Sequence, residues 1–270
     1  VDVTEAERFV SYDSILLSHG ARKRRAYVLL HGMSASPQQF AEFAQRLHAR
    51  GANVFVPRLP HHGLGDRMST ALGGLTADEL RTFARSTIAR ASELGEDVHV
   101  VGFSLGGLVC AWIAQHFPVA RATAIAPFLG VAGFPRTLTP RVAEVALALP
   151  NRMLWWDPVL RERLLPVHGY PRFATHAVAQ ASRLATELFT DAAIDPPQAD
   201  DIAIVLNAAE MTVNNRAART LAWLWSRSEP ARTHLYRMKG LGPSHDIIEP
   251  MRSETNTRRV YPPLIDLVAR

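Results

Sequence analysis

Apolar residues along this chain come in short bursts separated by longer stretches with helical spacing. Ala26–Leu30 (AYVLL) is an unbroken apolar run ending at His31-Gly32, the mark of a strand buried on both faces. Pro37–Arg50 sets Phe40, Phe43, Ala44 and Leu47 at helical intervals and stops at Gly51. Ala52–Val56 (ANVFV) is a second strand, cut off by Pro57. Thr76–Leu94 opens T-A-D-E, where a Thr side chain and a Glu three residues on can each satisfy the other's backbone N–H, and it closes at Gly95. Val98–Val101 predicts a strand, Leu105–Phe117 a helix of small and apolar residues stopped by Pro118, and Ala122–Ala126 a further strand. The rhythm returns with the strand Ile202–Leu206, a helix over Asn214–Arg227, the strand Thr233–Met238 and a last helical segment ending at Arg270.

Strands that alternate with helices predict an α/β fold: a mostly parallel central sheet with helices on both faces. Between Leu129 and Asp200 the alternation breaks. That stretch is proline-rich, has no regular strand pattern, and carries Phe134, Leu138, Leu147, Met153, Leu154, Trp155, Trp156, Tyr170 and Phe173. It predicts an inserted cap (129–200) over one edge of a core made of residues 1–128 and 201–270. Some of its apolar side chains should line a pocket, although the sequence singles none out. No internal repeat or low-complexity tract is present.

Composition adds little to this picture. With 270 residues, 47% of them hydrophobic and 20% charged, the chain suits one compact domain plus the insertion. Cys110 is the one cysteine, so no intrachain disulfide can form; it falls inside a predicted helix and reads as a small packing residue. No apolar run approaches the roughly 20 residues of a bilayer span, so no stable membrane insertion is expected. The cytoplasm is favoured, and oligomeric state is left open. The net charge of +5 comes almost wholly from arginine. Its one cluster, Arg22-Lys23-Arg24-Arg25, precedes an apolar run and reads as a solvated turn. No aromatic platform accompanies it, so no nucleic-acid partner is expected.

The chemistry begins at Gly102-Phe103-Ser104-Leu105-Gly106-Gly107, which joins a predicted strand directly to a predicted helix. A serine there sits on a sharp turn that only glycines on either side permit, and the turn aims its hydroxyl at the unpaired N–H groups of the helix start. Ser104 is therefore the candidate nucleophile. His245, in the loop Gly240–Asp246 between the last strand and the last helix, is the candidate general base, because loops after parallel strands reach the same edge of the sheet. Glu210 is the sole carboxylate in the loop after Ile202–Leu206 and is the candidate acid; Asp246, Asp200 and Asp201 are the fallbacks. The order Ser, acid, His differs from the two common serine-protease orders.

These motifs, with HGMS at 31–34, PRLPHHG at 57–63, LNAAEMTV at 206–213 and SHD at 244–246, make the chain resemble the α/β-hydrolase superfamily, and within it bacterial carboxylesterases and monoacylglycerol lipases. The resemblance covers essentially the whole chain. It implies that the backbone N–H groups of Met33 and Leu105 form an oxyanion hole, and it points to His245 independently. The family's Gly-x-x-Asp-x-x-Val reads here Asn207-x-x-Glu210-x-x-Val213, with two departures, and His61 stands where many relatives have glycine. His31 reads as a structural loop histidine, and His61-His62 lack the carboxylate or cysteine spacing of a metal site.

The expectation is a serine carboxylic ester hydrolase using Ser104, Glu210 and His245 on short to medium acyl esters, with no cofactor and no metal. The alternatives are a thioesterase, an amidase or a carbon–carbon bond hydrolase with the same triad. A further alternative, from another class, is a ligand receptor on this fold that barely turns over.

Overall fold

The apolar runs become the inner strands of one seven-stranded sheet in the computed structural model, which describes residues 12–161, 168–228, 230–251 and 254–270. The first eleven residues of the expected core, and 162–167 of the expected insertion, lie outside the described residues. The strands are β1 (Ile15–Leu17), β2 (Lys23–Leu30), β3 (Asn53–Val56), β4 (Gly95–Phe103), β5 (Arg121–Ile125), β6 (Met153–Trp155), β7 (Arg172–Ala174), β8 (Ile202–Asn207) and β9 (Thr233–Met238). The helices are α1 (Ala41–His48), α2 (Ala77–Leu94), α3 (Leu105–His116), α4 (Thr139–Ala148), α5 (Thr175–Ile194), α6 (Asn215–Ser228) and α7 (Glu254–Val268).

The sheet runs β1-β3-β2-β4-β5-β8-β9, parallel throughout except for the antiparallel edge strand β1. This is an α/β-hydrolase fold. Helices α1 and α7 pack together, while α2, α3, α5 and α6 form a second packed group. The inner strands β5 and β8 are buried along their whole length, and β2 is buried from Ala26 on, which is why they read as continuous apolar runs. The capping box of α2 forms as the sequence predicts: Thr76 Oγ1 accepts from Glu79 N at 3.1 Å, and Thr76 N donates to Glu79 Oε2 at 2.9 Å.

From β2 the chain crosses to β3 on one side, then returns to β4 on the other. The ends of β2 and β4 therefore diverge at a switch in strand order, the place where open parallel sheets bind ligands. Leu30 pairs with Gly102 at that point, so His31-Gly32-Met33 and Ser104 leave the sheet side by side.

One expectation needs correcting. Lys23-Arg24-Arg25 is not a solvated turn but the first part of β2, paired with β4. Arg25 donates to the carbonyls of Ala269 and Arg270, Arg22 to Gly95 O, and Arg24 pairs with Asp97. Charged residues tolerate a strand position here because the long stems reach out to chain ends and to the rim of the sheet.

Residues 129–200 contain α4, the antiparallel pair β6–β7 and α5. Three-residue strands are too short to show alternation, which hid them in the sequence. Helix α5 packs on α3 and touches α2 and α6, so it lies against the sheet's own helical layer; α4 packs on α5.

Candidate active site

Ser104 ends β4 and precedes the first residue of α3 with φ 54° and ψ −113°, a strained conformation that L-residues rarely adopt. Its neighbours show why the turn needs glycine. A Cβ on Gly102 would overlap the Gly106 carbonyl oxygen, and one on Gly106 would overlap that of Leu30. Backbone bonds lock the turn: Ser104 N donates to Ile125 O at 3.0 Å, and Phe128 N donates to Ser104 O at 2.9 Å.

His245 Nε2 lies 2.8 Å from Ser104 Oγ, and His245 Nδ1 lies 2.9 Å from Glu210 Oε2. A carboxylate accepts, so Nδ1 carries the proton and Nε2 is left to accept from the serine hydroxyl. The Glu210 side chain is fully buried. Its other oxygen accepts from Thr212 N at 2.6 Å and Val213 N at 3.3 Å. Burial pushes this carboxyl up, but the His245 and backbone hydrogen bonds outweigh it and hold the group below the usual carboxylate range, so it is anionic at neutral pH. The Glu210 side chain reaches His245 from a loop that is tied to the insertion. That loop is tied down by Ala132 N to Thr212 O (3.1 Å), Asn214 N to Gly130 O (2.9 Å) and Asn214 Nδ2 to Phe134 O (2.9 Å).

Two of the fallback acids are engaged elsewhere, and the third, Asp200, is exposed. Asp246 accepts from Gln39 Nε2 at 3.0 Å and from Glu249 N at 3.1 Å; Asp201 pairs with Arg121.

Met33 N and Leu105 N donate to no other group among the described residues, and Met33 follows the β2 end that lies beside Ser104. His31 is buried behind them. Leu59 N donates to its Nε2 at 3.2 Å, so Nδ1 carries the proton toward Gly32 O at 3.0 Å. Burial and the neighbouring His62 hold His31 well below the ordinary histidine pKa, consistent with a neutral structural residue. His61 pairs with Glu79 at 3.0 Å, and His62 stacks on Tyr170. Among the described residues no three His, Cys, Asp or Glu side chains converge as metal ligands. Cys110 is buried, and burial pushes its thiol up to about 12.

Three residues to which the sequence reading gave no role brace the site. Asn207, a departure from the family pattern, is fully buried and donates to Gly242 O at 3.0 Å and Ser244 O at 2.9 Å, which fixes the loop of His245. Gln39 accepts from Gly32 N at 2.8 Å while donating to Asp246, so one side chain joins the loops after β2 and β9. His168 of the insertion reaches Glu249. Asn207 had a visible signal, a polar residue ending an otherwise apolar strand; the other two had none, since Asp246 and Glu249 are far from them in sequence.

A cavity of about 220 Å³ opens over Ser104 and His245, lined among others by Met33, Phe103, Trp156, His168 and Thr212. Of the apolar residues of the insertion named above, Trp156 is the one on this wall.

Burial of His62 leads to a pH effect. Desolvation lowers its pKa to about 4, against about 6.5 when unfolded. The unfolded chain therefore binds this proton more readily between those values, so the contribution is intact above pH 6.5 and is lost as pH falls toward 4. Urea unfolding at pH 7 and at pH 4.5 should show a loss of about 2 kcal/mol from this residue. A His62→Gln variant should show a shallower decline, and an identical decline would assign the effect to other groups.

A family model described as the alpha/beta hydrolase family matches residues 27–256. No curated protein matches the chain. Among solved structures, a Paleococcus ferrophilus monoacylglycerol lipase is 18% identical, with a TM-score of 0.70 over 94% of this chain and 99% of that one. One structure from a study of LipS and LipT, two metagenome-derived lipolytic enzymes, is 14% identical, with a TM-score of 0.70 over 97% and 98%. A soluble variant of a Saccharomyces cerevisiae monoglyceride lipase is 14% identical, with a TM-score of 0.69 over 94% and 90%. At such identities these likenesses show the fold. Among the described residues no helix is long and apolar enough to cross a membrane.

Proposed function

The chain belongs to the alpha/beta hydrolase family, and on that premise we propose that it is a serine hydrolase of carboxylic esters, with Ser104 as nucleophile, His245 as general base and Glu210 as the acid that orients it. The observation that carries this reading is the unbroken relay from Ser104 Oγ through His245 to a buried Glu210 carboxylate, opening onto a cavity.

Ser104 Oγ attacks the ester carbonyl as its proton passes to His245 Nε2. Negative charge gathers on the carbonyl oxygen, where the N–H groups of Met33 and Leu105 receive it; their place at a turn and a helix start means that little reorganisation is needed. His245 then protonates the leaving alcohol, and the acyl group stays on Ser104. A water molecule, deprotonated by His245, frees the acid and restores the serine. Glu210 keeps the imidazole in the tautomer that can accept the first proton and stabilises the imidazolium.

The insertion is part of the proposal. Trp156, His168 and Gly169 of the insertion wall the cavity, and α5, which follows them, packs on α3. A small, walled cavity favours short to medium acyl chains. Each buried methylene adds about 0.8 kcal/mol until the pocket ends, after which further carbons must leave it. Across a p-nitrophenyl ester series, kcat/KM should rise from acetate, peak between about four and ten carbons, and fall beyond. A steady rise through palmitate with activation at an oil–water interface would replace this reading with that of a lipase whose lid opens.

A further inference from the structure

Two of the loops around the site hold non-glycine residues in the left-handed region: Ser34 at φ 65°, next to Met33, and His61 at φ 64°, in the loop after β3. Such conformations persist only where surrounding bonds over-determine them. Both are held by one short stretch of the insertion, residues 168–172.

Its bonds run in sequence. Tyr170 N donates to Ser34 O at 2.6 Å, and Ser34 Oγ donates to Arg172 O at 3.0 Å. The Tyr170 hydroxyl accepts from Leu64 N at 2.8 Å and donates to His61 O at 3.3 Å. Arg67 Nε donates to Gly169 O at 3.0 Å. At the start of the stretch, His168 Nδ1 lies 3.2 Å from Ser36 Oγ, and its Nε2 lies 3.2 Å from Glu249 Oε2. All three of these side chains are buried. Ser36 also accepts from Gln38 N at the turn that follows Met33. Glu249 lies four residues past His245.

We propose that residues 168–172 act as a strap in which His168, through its side chain, and Tyr170, through its backbone N–H, position the oxyanion-donating loop. The insertion is then not merely a cover. It supplies the hydrogen bonds that keep Ser34 in its strained conformation and so fix where the Met33 N–H points. His168 ties the same loop to the segment that follows His245, so the donor and the base are registered against each other through one buried imidazole. Neither residue touches the reacting carbonyl; they act through Met33. The proposal rests on the ester hydrolase reading.

The test uses Ser34→Ala, which removes the bond from Ser34 Oγ to Arg172 O, and His168→Gln, with p-nitrophenyl acetate and two inhibitors. A trifluoromethyl ketone accepts Ser104 Oγ at its carbonyl carbon, passes the serine proton to His245 and places an oxyanion in the hole. The corresponding secondary alcohol fills the cavity but cannot form that adduct. Expected is a fall in kcat of about tenfold to a hundredfold, with KM held within about twofold, and the ketone weakened by a similar factor while the alcohol binds as before. Equal weakening of both inhibitors, a change in KM alone, or unchanged kcat in a folded Ser34→Ala protein would overturn the proposal. Ser34→Ala removes a single oxygen, the one that bonds Arg172 O, and so decides the matter even if His168→Gln does not fold. Parent protein that neither hydrolyses the ester nor takes a phosphonate on Ser104 would defeat the ester hydrolase reading itself; normal labelling with unaffected variants defeats the strap alone.

Discussion

Replacing Ser104 with alanine is expected to lower kcat on a p-nitrophenyl ester on the order of a millionfold, to the residual rate that binding and the oxyanion donors sustain by themselves. The loss is this large because the two-step route disappears: without Oγ no acyl-enzyme forms, and His245 is left with only water to activate from a position built for a serine. The fold should survive. The Ser104 side chain makes no cap bond to α3, its one hydrogen bond runs to His245, and alanine meets the same backbone strain. An organophosphonate should label the parent protein at Ser104 and at no other serine, since among the described residues no other serine combines a strained turn with an adjacent base. Intact mass and peptide mapping would reveal it. A label on another residue with Ser104 free removes the mechanism.

Replacing Glu210 with glutamine should cost on the order of a thousandfold to ten-thousandfold in kcat. One oxygen of Glu210 accepts from the N–H groups of Thr212 and Val213, and the other accepts from His245. An amide can satisfy the two backbone donors only with its oxygen, which turns its NH2 toward Nδ1 of His245. The imidazole must then carry its proton on Nε2, the atom that has to accept one from Ser104. The expected loss is thus a tautomer effect, visible in kcat with KM little changed. Asp246→Asn is the control, because its carboxylate meets Gln39 and the backbone rather than His245. Should Asp246→Asn lose more than Glu210→Gln, the acid has been misassigned.

The route from sequence to site was short for some residues and closed for others. Ser104 was legible because its signal is local: two glycines, a strand before and a helix after, all within one turn of chain. His245 and Glu210 were legible because a parallel sheet brings every strand's carboxyl end to one edge, so loop order alone narrows the choice. The departure at Asn207 was visible as a difference, but its meaning needed the loop 35 residues on that its amide braces. The short strands β6 and β7 were not legible, because three residues carry no period. Nor was the strand start at Lys23-Arg24-Arg25, where tertiary partners at the C-terminal end of the chain override a polar pattern.

The sequence by itself determined the alternation that builds the sheet, the turn that exposes Ser104, and the candidates for its partners, since each follows from spacing within a few residues or from the order of strands. Only the tertiary structure decided that Glu210 rather than Asp246 faces His245, that Gln39 joins the loops after β2 and β9, and that His168 meets Glu249 across 81 positions of chain. The reason is physical. Hydrogen bonds between buried side chains depend on direction to within a few tenths of an ångström, and that direction is set by how loops pack on one another, not by any pattern written along a single loop.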